Sequence, residues 1–274
     1  MTNPSDIEEF WTRGDIHSRV HKAMKDADLI DKKLEIEDLF PIDQYHARGI
    51  AATVDLGKRM PIRENSKILD IGCGLGGPAR YYSKEFKCFI EGIDITPNFI
   101  ELGTEFNKLT DMSNQIHLDV GNGETLDFED NFFDGAYSQH VTMNISNRKK
   151  FFSEAYRVLR KNSFFAFTEH GLGHLGNPIY PLPWADDKNM SFLLTPDETI
   201  LLLKDVGFYD IEIIETGTKY MSGYEKLMSQ TKDIKQPILG IHVIGGQSMT
   251  ERSRNSLTCI KEKRTHPFEI LCKK

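Results

Sequence analysis

The sequence is poor in cysteine and has no pattern that would use it. Four cysteines occur among 274 residues, and no two of them have a C-x-x-C spacing. Neither a zinc knuckle nor a disulfide framework is therefore predicted. Histidine and acidic side chains are present, but we expect no metal site. Scattered thiols fit a reducing compartment, so the expected location is the cytoplasm.

Basic residues are in the minority as well. The chain has 34 Lys and Arg against 41 Asp and Glu, which gives a formal net charge of -7. Proteins that bind nucleic acid normally carry a basic surface, so no nucleic-acid partner is expected. The short basic cluster Arg148–Lys150 is expected on a solvated helix face.

Long apolar runs are also missing. No segment is long and apolar enough to span a bilayer, and the first ten residues lack the basic and apolar regions of a signal peptide. We therefore expect a soluble protein with no membrane partner, either a monomer or a homodimer.

What the sequence does have is an alternation of strand-like and helix-like segments from about residue 66 onward. This alternation is typical of a parallel sheet with crossover helices. A chain of this length can hold one large α/β domain with insertions. The fold class predicted from the pattern is α/β.

Three segments fall outside the alternation. Residues 1–62 have a helical pattern and are predicted to form an N-terminal helical lid. Residues 63–274 are predicted to form the main domain, with further lid insertions at about 171–194 and 217–264. The three segments are expected to cover the carboxyl edge of the sheet.

A glycine loop follows the first predicted strand. Gly72, Gly74 and Gly76 lack a Cβ, so the backbone there can take positive φ and approach a ligand closely. The amides at the start of the next helix face the same space. Gly72, Gly74 and Gly77 also satisfy the dinucleotide fingerprint G-x-G-x-x-G, so the loop alone leaves the ligand open.

Two acidic residues indicate which kind of ligand the glycine loop binds. Asp70 ends the first strand and Asp94 ends the second, which places both at the carboxyl edge, where open α/β sheets bind ligands. A carboxylate at Asp94 suits a ribose diol. A carboxylate at Asp70, beside the loop, suits a ligand with an ammonium group. A loop that binds pyrophosphate would repel such a group.

The pattern Leu69-Asp-Ile-Gly-Cys-Gly-Leu-Gly76 resembles motif I of the class I S-adenosylmethionine-dependent methyltransferases. The resemblance implies a Rossmann-like, seven-stranded, mostly parallel sheet with helices on both faces and a helical lid, in which the last strand is antiparallel to the fifth. It also implies S-adenosylmethionine as cofactor, with S-adenosylhomocysteine as product. Two alternatives remain: a nicotinamide-dependent oxidoreductase using the same loop, and a non-catalytic S-adenosylmethionine-binding protein.

The resemblance further implies which residues bind the cofactor. After the third strand, the family often has an acid that accepts from the adenine amino group, and this chain has Asn122, whose carboxamide oxygen can accept the same bond. A simple turn is the alternative for this stretch. The predicted cofactor-binding residues are Asp70, Gly72, Gly74, Gly76, Asp94, Ile95, Asn122, Gly123 and Gln139.

The loop after the fourth strand, residues 138–144, looks like the small-molecule branch of this family, which includes the glycine/sarcosine, phosphoethanolamine and sugar methyltransferases. His140 is expected at the reacting end, whereas the catalytic histidine of some sugar enzymes is missing at about Met143-Asn144. A hydroxyl acceptor would then need His140, His170 or Glu169 as base. An amine needs mainly positioning, so amine is favoured over hydroxyl, with His140 and Glu169 as the catalytic candidates.

Two segments are predicted to bind the methyl acceptor, a small molecule. Residues 43–50 resemble the N-terminal element that closes over the cofactor in this branch, and Tyr45, His46 and Arg48 are expected to line the site, with Arg48 a partner for a carboxylate. A solvated helix start is the alternative. Trp184, in an aromatic and proline-rich stretch, is expected to hold a cationic amine, or else only to pack the lid.

Overall fold

The computed structural model describes residues 4–12, 14–30, 32–46, 48–230, 237–246 and 248–274, and every structural statement here refers to these ranges. Of the predicted N-terminal lid, residues 1–3, 13, 31 and 47 therefore lie outside the described ranges. The third predicted lid segment lies outside them at residues 231–236 and 247.

Seven strands form one sheet in the order β3-β2-β1-β4-β5-β7-β6. The strands are β1 (Lys67–Ile71), β2 (Phe89–Asp94), β3 (Ile116–Val120), β4 (Phe133–Gln139), β5 (Leu159–Leu172), β6 (Tyr209–Glu215) and β7 (Thr265–Lys273). The first five pair in parallel, while β7 runs antiparallel between β5 and β6. The predicted Rossmann-like fold, including the antiparallel last strand, is confirmed.

The helices of the alternating part are α5 (Gly77–Phe86), α6 (Pro97–Leu109), α7 (Arg148–Val158) and α8 (Pro196–Val206). The remaining helices are α1 (Pro4–Trp11), α2 (Ile16–Asp26), α3 (Ile36–Asp43), α4 (Ile50–Gly57), α9 (Gly217–Gln230), α10 (Ile241–Gly245) and α11 (Met249–Lys261). Apolar side chains of α7 and α8 pack on one face of the sheet, and those of α4 and α5 pack on the other.

Strand β5 shows how the sequence divides between these two faces. Phe165 and Phe167 belong to the core with α7 and α8, whereas Phe164 and Ala166 belong to the core with α4 and α5. Successive strand side chains point to opposite faces, so this apolar run serves both cores at once. The same alternation decides where the polar residues that follow in β5 point.

The helices outside the alternation lie against one another. Arg19 of α2 donates to the carbonyl oxygens of Val243 and Ile244 at distances of 3.0 and 3.1 Å, which joins the N-terminal helices to α10. Leu182 and Trp184 pack with Cys259 of α11. The role of these segments as a lid stays a prediction.

Within the described ranges, no three metal-ligating side chains converge, and no helix has the length and apolarity to cross a membrane. The sequence does contain two histidines four residues apart on α2, a spacing that some metal sites use. Here His17 pairs with Glu101 at 3.1 Å and His21 with Glu105 at 3.0 Å, so these histidines bridge α2 to α6.

Candidate active site

A cavity lies at the carboxyl ends of the strands, beside the point where the strand order reverses between β1 and β4. This is the usual ligand position in open α/β sheets. Its wall consists of residues 70–75, 93–95, 121–124 and 139–141 from the sheet and its loops, with Ile7, Trp11, Asp43, Tyr45, His46 and Ile244 from the outer helices among the residues that cover it.

The three glycines of the loop all have positive φ, but they serve different purposes. At Gly74, with φ +53°, no atom lies within 4 Å of the position that a Cβ would take, so the loop is open to a ligand there. At Gly72, a Cβ would meet Val141 at 2.2 Å. Gly76 is the residue before α5 and does not line the cavity, so a helix start, rather than ligand contact, accounts for this glycine.

Asp94 joins the glycine loop to the start of α6. Its Oδ2 accepts from the Gly74 amide and its Oδ1 from the Thr96 amide, both at 2.9 Å. Each carboxylate oxygen has a second lone pair, so both can also accept a hydroxyl from the cavity. Ile95, the next residue, lines the cavity beside it.

Asp70 lies deeper, at 2% exposure, and its Oδ2 accepts from the Tyr137 hydroxyl at 2.7 Å. Burial raises the pKa of Asp70 to about 8, and the nearby Asp94 acts in the same direction, against the Tyr137 hydrogen bond. Asp70 therefore holds a proton near neutral pH in the free protein, and a ligand cation would favour its ionised form.

We expect Asp70→Asn to remove a pH dependence of stability. The folded pKa of about 8 exceeds the ordinary aspartate pKa of 3.8, so the contribution of Asp70 to stability is fully present below about pH 4 and is lost as pH rises through about 8. Relative to wild type, Asp70→Asn should gain stability between pH 5 and pH 8.5, measured by urea unfolding. Asp127→Asn, at an exposed site, is the control. A stability difference that stays constant over this range would contradict the expectation.

Asn122 and Gly123 line the cavity after β3, as predicted. The Asn122 Oδ1 accepts from the Glu124 amide at 2.8 Å, and its carbonyl oxygen accepts from the Thr125 amide at 2.9 Å. A turn is therefore present. Residues of this turn also line the cavity, and a contact between Asn122 and adenine stays a prediction.

The end of β4 meets the N-terminal segment. Gln139 Nε2 lies 3.4 Å from His46 Nε2, and its Oε1 accepts from the Tyr82 hydroxyl at 3.3 Å. Tyr45 donates its hydroxyl to the Met249 sulfur at 3.1 Å. Gln139, His46 and Tyr45 all line the cavity, where the sequence placed them.

His140 follows β4 with φ +57° and also lines the cavity. Its Nε2 lies 2.6 Å from the Tyr220 hydroxyl of α9. Burial lowers the pKa of His140 well below its usual value, and His170, His46 and Arg48 act in the same direction. The imidazole is therefore neutral at neutral pH and is a weak proton acceptor.

Glu169, predicted as a catalytic candidate, is not brought to the cavity. Thr168 pairs with Gln139 in the sheet, so Thr168 and His170 point to the cavity face, while Glu169 points to the opposite face. It is fully buried there, beneath α7 and α8. The prediction ignored the two-residue period of β5.

Arg148 corrects a second expectation, since it is not solvated but 4% exposed. It donates to Glu169 Oε2 at 2.7 Å. Thr142 and Thr199 also donate to this carboxylate, so Glu169 is hydrogen-bonded on both oxygens. Because Thr142 follows the cavity loop, this buried ion pair supports the loop from behind.

Arg48 and Trp184 lie near the cavity but do not line it. Arg48 Nη2 binds Asp55 at 2.5 Å, and the guanidinium lies 5.8 Å from the centroid of the Tyr220 ring. Trp184 is buried, donates to Ser191 at 2.9 Å and stacks 4.9 Å from the His170 ring. Arg48 contacts Tyr220 and Trp184 contacts His170, and these two rings in turn contact His140.

Several cavity residues were missed from the sequence. Trp11 meets Tyr45 edge to face at a ring distance of 5.5 Å, and Phe99 and Ile244 line the same wall. Trp11 lies within residues 1–62, for which the sequence predicts only a helical pattern. A wall built from separate helices leaves no local pattern in the sequence.

A family model of the methyltransferase domain matches residues 69–167, which run from β1 into β5 and include the glycine loop, Asp94 and His140. The chain is a class I S-adenosylmethionine-dependent methyltransferase. Its cofactor is S-adenosylmethionine, and the nicotinamide alternative is dropped.

Curated relatives of this methyltransferase differ in how much they share with it. Phosphoethanolamine N-methyltransferase of Plasmodium falciparum is 27% identical over 220 residues, which cover 72% of this chain and 79% of that protein. The sterol 24-C-methyltransferase ERG6A of Gibberella zeae is 33% identical over 114 residues, which cover 42% of this chain and 30% of that protein. These relatives methylate small molecules, as this enzyme does.

Among solved structures, phosphoethanolamine N-methyltransferase 2 of Haemonchus contortus, in complex with phosphomonomethylethanolamine and S-adenosylhomocysteine, superimposes with a TM-score of 0.77 at 18% identity. The match covers 100% of this methyltransferase and 60% of that chain, so this chain spans about 60% of its length. At this identity the likeness is one of fold.

Proposed function

We propose that this methyltransferase transfers the methyl group of S-adenosylmethionine to the nitrogen of a small-molecule amine. The observation that carries the proposal is that neither predicted catalytic residue is an effective base at the cavity. Of the two predicted catalytic residues, Glu169 faces away from the cavity and is paired with Arg148, and His140, whose pKa is lowered by burial, lies at the wall. An amine acceptor is also supported by the match to the Plasmodium N-methyltransferase, which covers 72% of this chain and 79% of that protein.

The residues of the cavity fit the cofactor. Asp94 presents acceptors for the ribose hydroxyls, and Asp70, a buried carboxyl with no cation bonded to it in the described ranges, is placed to hold the ammonium group. The open position at Gly74 allows close approach of the amino-acid portion. The bound cofactor supplies an electrophilic methyl group on its sulfonium.

The weakness of His140 as a base favours an amine acceptor over a hydroxyl acceptor. A hydroxyl nucleophile must lose its proton as it attacks, which requires an effective base. A neutral amine attacks with its own lone pair and loses a proton afterwards, so positioning and exclusion of water supply most of the rate. His140, held by its contact with Tyr220, lies at the cavity wall, where it is placed to position an amine.

For an amine acceptor, we expect His140→Ala to lower kcat by less than about 10-fold, because general-base catalysis contributes about 10²-fold or more only where a proton must be removed in the transition state. The pH profile should follow the pKa of the amine. His174→Ala, at an exposed site, is the control. A hydroxyl-only acceptor whose turnover survives His140→Ala would defeat both the amine preference and the choice of base.

The first experiment is a methyl-donor release assay over small amines, amino acids, hydroxylated metabolites and phosphobases. Methylation of amines alone is the expected result. Thermal shifts with S-adenosylhomocysteine and with NAD provide a check on the cofactor, because a ligand that binds only the native state stabilises it. Cofactor binding without methyl release from any acceptor would leave the non-catalytic alternative.

A further inference from the structure

Trp11 of α1 lies where the outer helices meet the cavity. Its ring meets the Tyr45 ring edge to face at a centroid distance of 5.5 Å and lies 6.3 Å from the Phe99 ring. It also packs against the apolar cluster that contains Met143 and Trp184. Trp11, Tyr45 and Phe99 all line the cavity, so several elements hold this indole where it borders the open space.

Tyr45 presents its ring, and not its hydroxyl, to the cavity. The hydroxyl donates to the Met249 sulfur at 3.1 Å, and a Cβ on Gly245 would lie 2.3 Å from the same oxygen. Neither Met249 nor Gly245 lines the cavity, so the hydroxyl end of Tyr45 is turned away from it. Burial also raises the pKa of Tyr45 above its usual value, so the phenol stays neutral.

The rest of this cover is largely hydrocarbon. Ile7 lies four residues before Trp11 on α1, which puts both side chains on one face of the helix, and Ile244 of α10 lines the same cavity. Among the described residues of the outer segments that line the cavity, the other polar side chains belong to Asp43, which is held in a buried ion pair, and His46. We call Ile7, Trp11, Tyr45 and Ile244 the apolar wall.

The apolar wall borders empty space as well as other side chains. The cavity has an empty volume of about 1340 Å³, counted out to its opening. Ile7 and Trp11 are only partly buried. A ligand that covers this surface removes it from water, which favours binding, and small-molecule sites are typically lined by apolar and aromatic side chains with few polar groups.

The apolar wall is next to the reacting end of the cavity. Tyr45 precedes His46, whose ring centroid lies 5.8 Å from that of His140. Met143, which Trp11 approaches from the other side, follows His140 by three residues. An acceptor whose nitrogen reaches the methyl group beside His140 therefore has its carbon atoms next to Trp11 and Tyr45.

We propose that the apolar wall binds the carbon body of the acceptor, with Trp11 as a specificity-determining residue, and that the substrates are amines whose nitrogen carries a hydrocarbon chain or ring. This inference rests on the proposed amine transfer. The indole of Trp11 supplies a large, rigid apolar surface. Binding of such a non-reacting part of the substrate raises kcat/KM.

The test measures kcat/KM for ethylamine, butylamine and hexylamine at saturating S-adenosylmethionine. The amino group is the same throughout the series, so a change in kcat/KM reports on the chain. We expect kcat/KM to rise by about 2- to 4-fold for each added CH₂, which is about 16-fold or more from ethylamine to hexylamine. No rise with chain length would overturn the inference.

Trp11→Ala should lower the ratio of kcat/KM for hexylamine to that for ethylamine by about 10-fold, and Trp11→Phe by less, because Phe keeps part of the ring surface. The affinity for S-adenosylhomocysteine should be unchanged in both variants. Phe10→Ala is the matched control, since Phe10 is the neighbouring aromatic residue of α1, is buried and does not line the cavity. An equal effect of Phe10→Ala, or an equal loss of cofactor affinity in Trp11→Ala, would overturn the role of Trp11.

A binding measurement covers the case in which Trp11→Ala does not fold. The chain has two tryptophans, so Trp184→Phe leaves Trp11 as the single indole fluorophore. Adding hexylamine to this variant in complex with S-adenosylhomocysteine should shift the Trp11 emission to shorter wavelength, and ethylamine should shift it less. The same response to both amines, or none, would contradict the inference.

The outcomes separate this inference from the proposed function. A higher kcat/KM for ethanolamine or glycine than for hexylamine would overturn the apolar wall and leave amine transfer intact. Methylation of hydroxyl compounds alone would overturn the amine transfer, and the fluorescence comparison would still decide whether the apolar wall binds a hydrocarbon chain.

Discussion

Arg148→Met is expected to lower the free energy of unfolding by about 3–5 kcal/mol, because it leaves Glu169 as a buried carboxylate without its cation. Arg148 and Glu169 are 4% and 0% exposed, and their 2.7 Å contact lies between α7 and β5. Arg148 also donates to the Phe192 carbonyl oxygen at 3.1 Å, so the substitution removes a second tie. Urea unfolding measures the effect.

Lys149→Met is the matched control, since Lys149, on the exposed side of α7, pairs with Asp205 of α8 at 60% and 58% exposure. Such a pair contributes at most about 1 kcal/mol. The double variant Arg148→Met, Glu169→Met should recover much of the lost stability, because it removes the uncompensated charge. An Arg148→Met cost no larger than that of Lys149→Met would show that the ion pair is not buried in solution.

The fold was predictable because its signals are local. A five-residue strand that contains Asp70 is followed directly by the glycine loop within Lys67–Gly76, and the backbone takes the positive φ at Gly72 and Gly74 that the sequence suggested. The parallel order and the antiparallel β7 followed from the resemblance. The cavity then falls at the carboxyl edge because parallel strands all end there.

The position of Glu169 could also have been predicted. Phe165 and Phe167 belong to the core with α7 and α8, and a strand alternates every residue, so Glu169 shares their face. His170 shares the face of Thr168 instead. The two-residue period therefore predicts that His170, and not Glu169, lies on the face of β5 that is turned to the cavity.

Other site features depend on residues far apart in the chain. The Tyr220 hydroxyl that holds His140 is 80 residues away along the sequence. Arg148 looked like a surface cation because its partner, 21 residues later, is an acid that the pattern did not mark as buried. Composition and periodicity give no measure of which two distant side chains meet.

Asp94→Ala is expected to weaken cofactor binding by about 2 kcal/mol or more, which is about 30-fold in the dissociation constant. The substitution removes the charged acceptor proposed for both ribose hydroxyls. It also leaves the amides of Gly74 and Thr96 without the acceptor that holds the loop against α6. Calorimetric titration with S-adenosylhomocysteine measures the loss, and Asp119→Ala, at an exposed site of β3, is the control.

Asp94→Asn separates the two contributions. Its carboxamide oxygen can still accept from one loop amide, whereas its NH₂ group can only donate, so it cannot replace both carboxylate oxygens. We therefore expect Asp94→Asn to recover thermal stability more fully than cofactor affinity. Equal recovery of both would mean that Asp94 acts on the cofactor only by holding the glycine loop. Unchanged affinity in a folded Asp94→Ala variant would remove Asp94 from the site altogether.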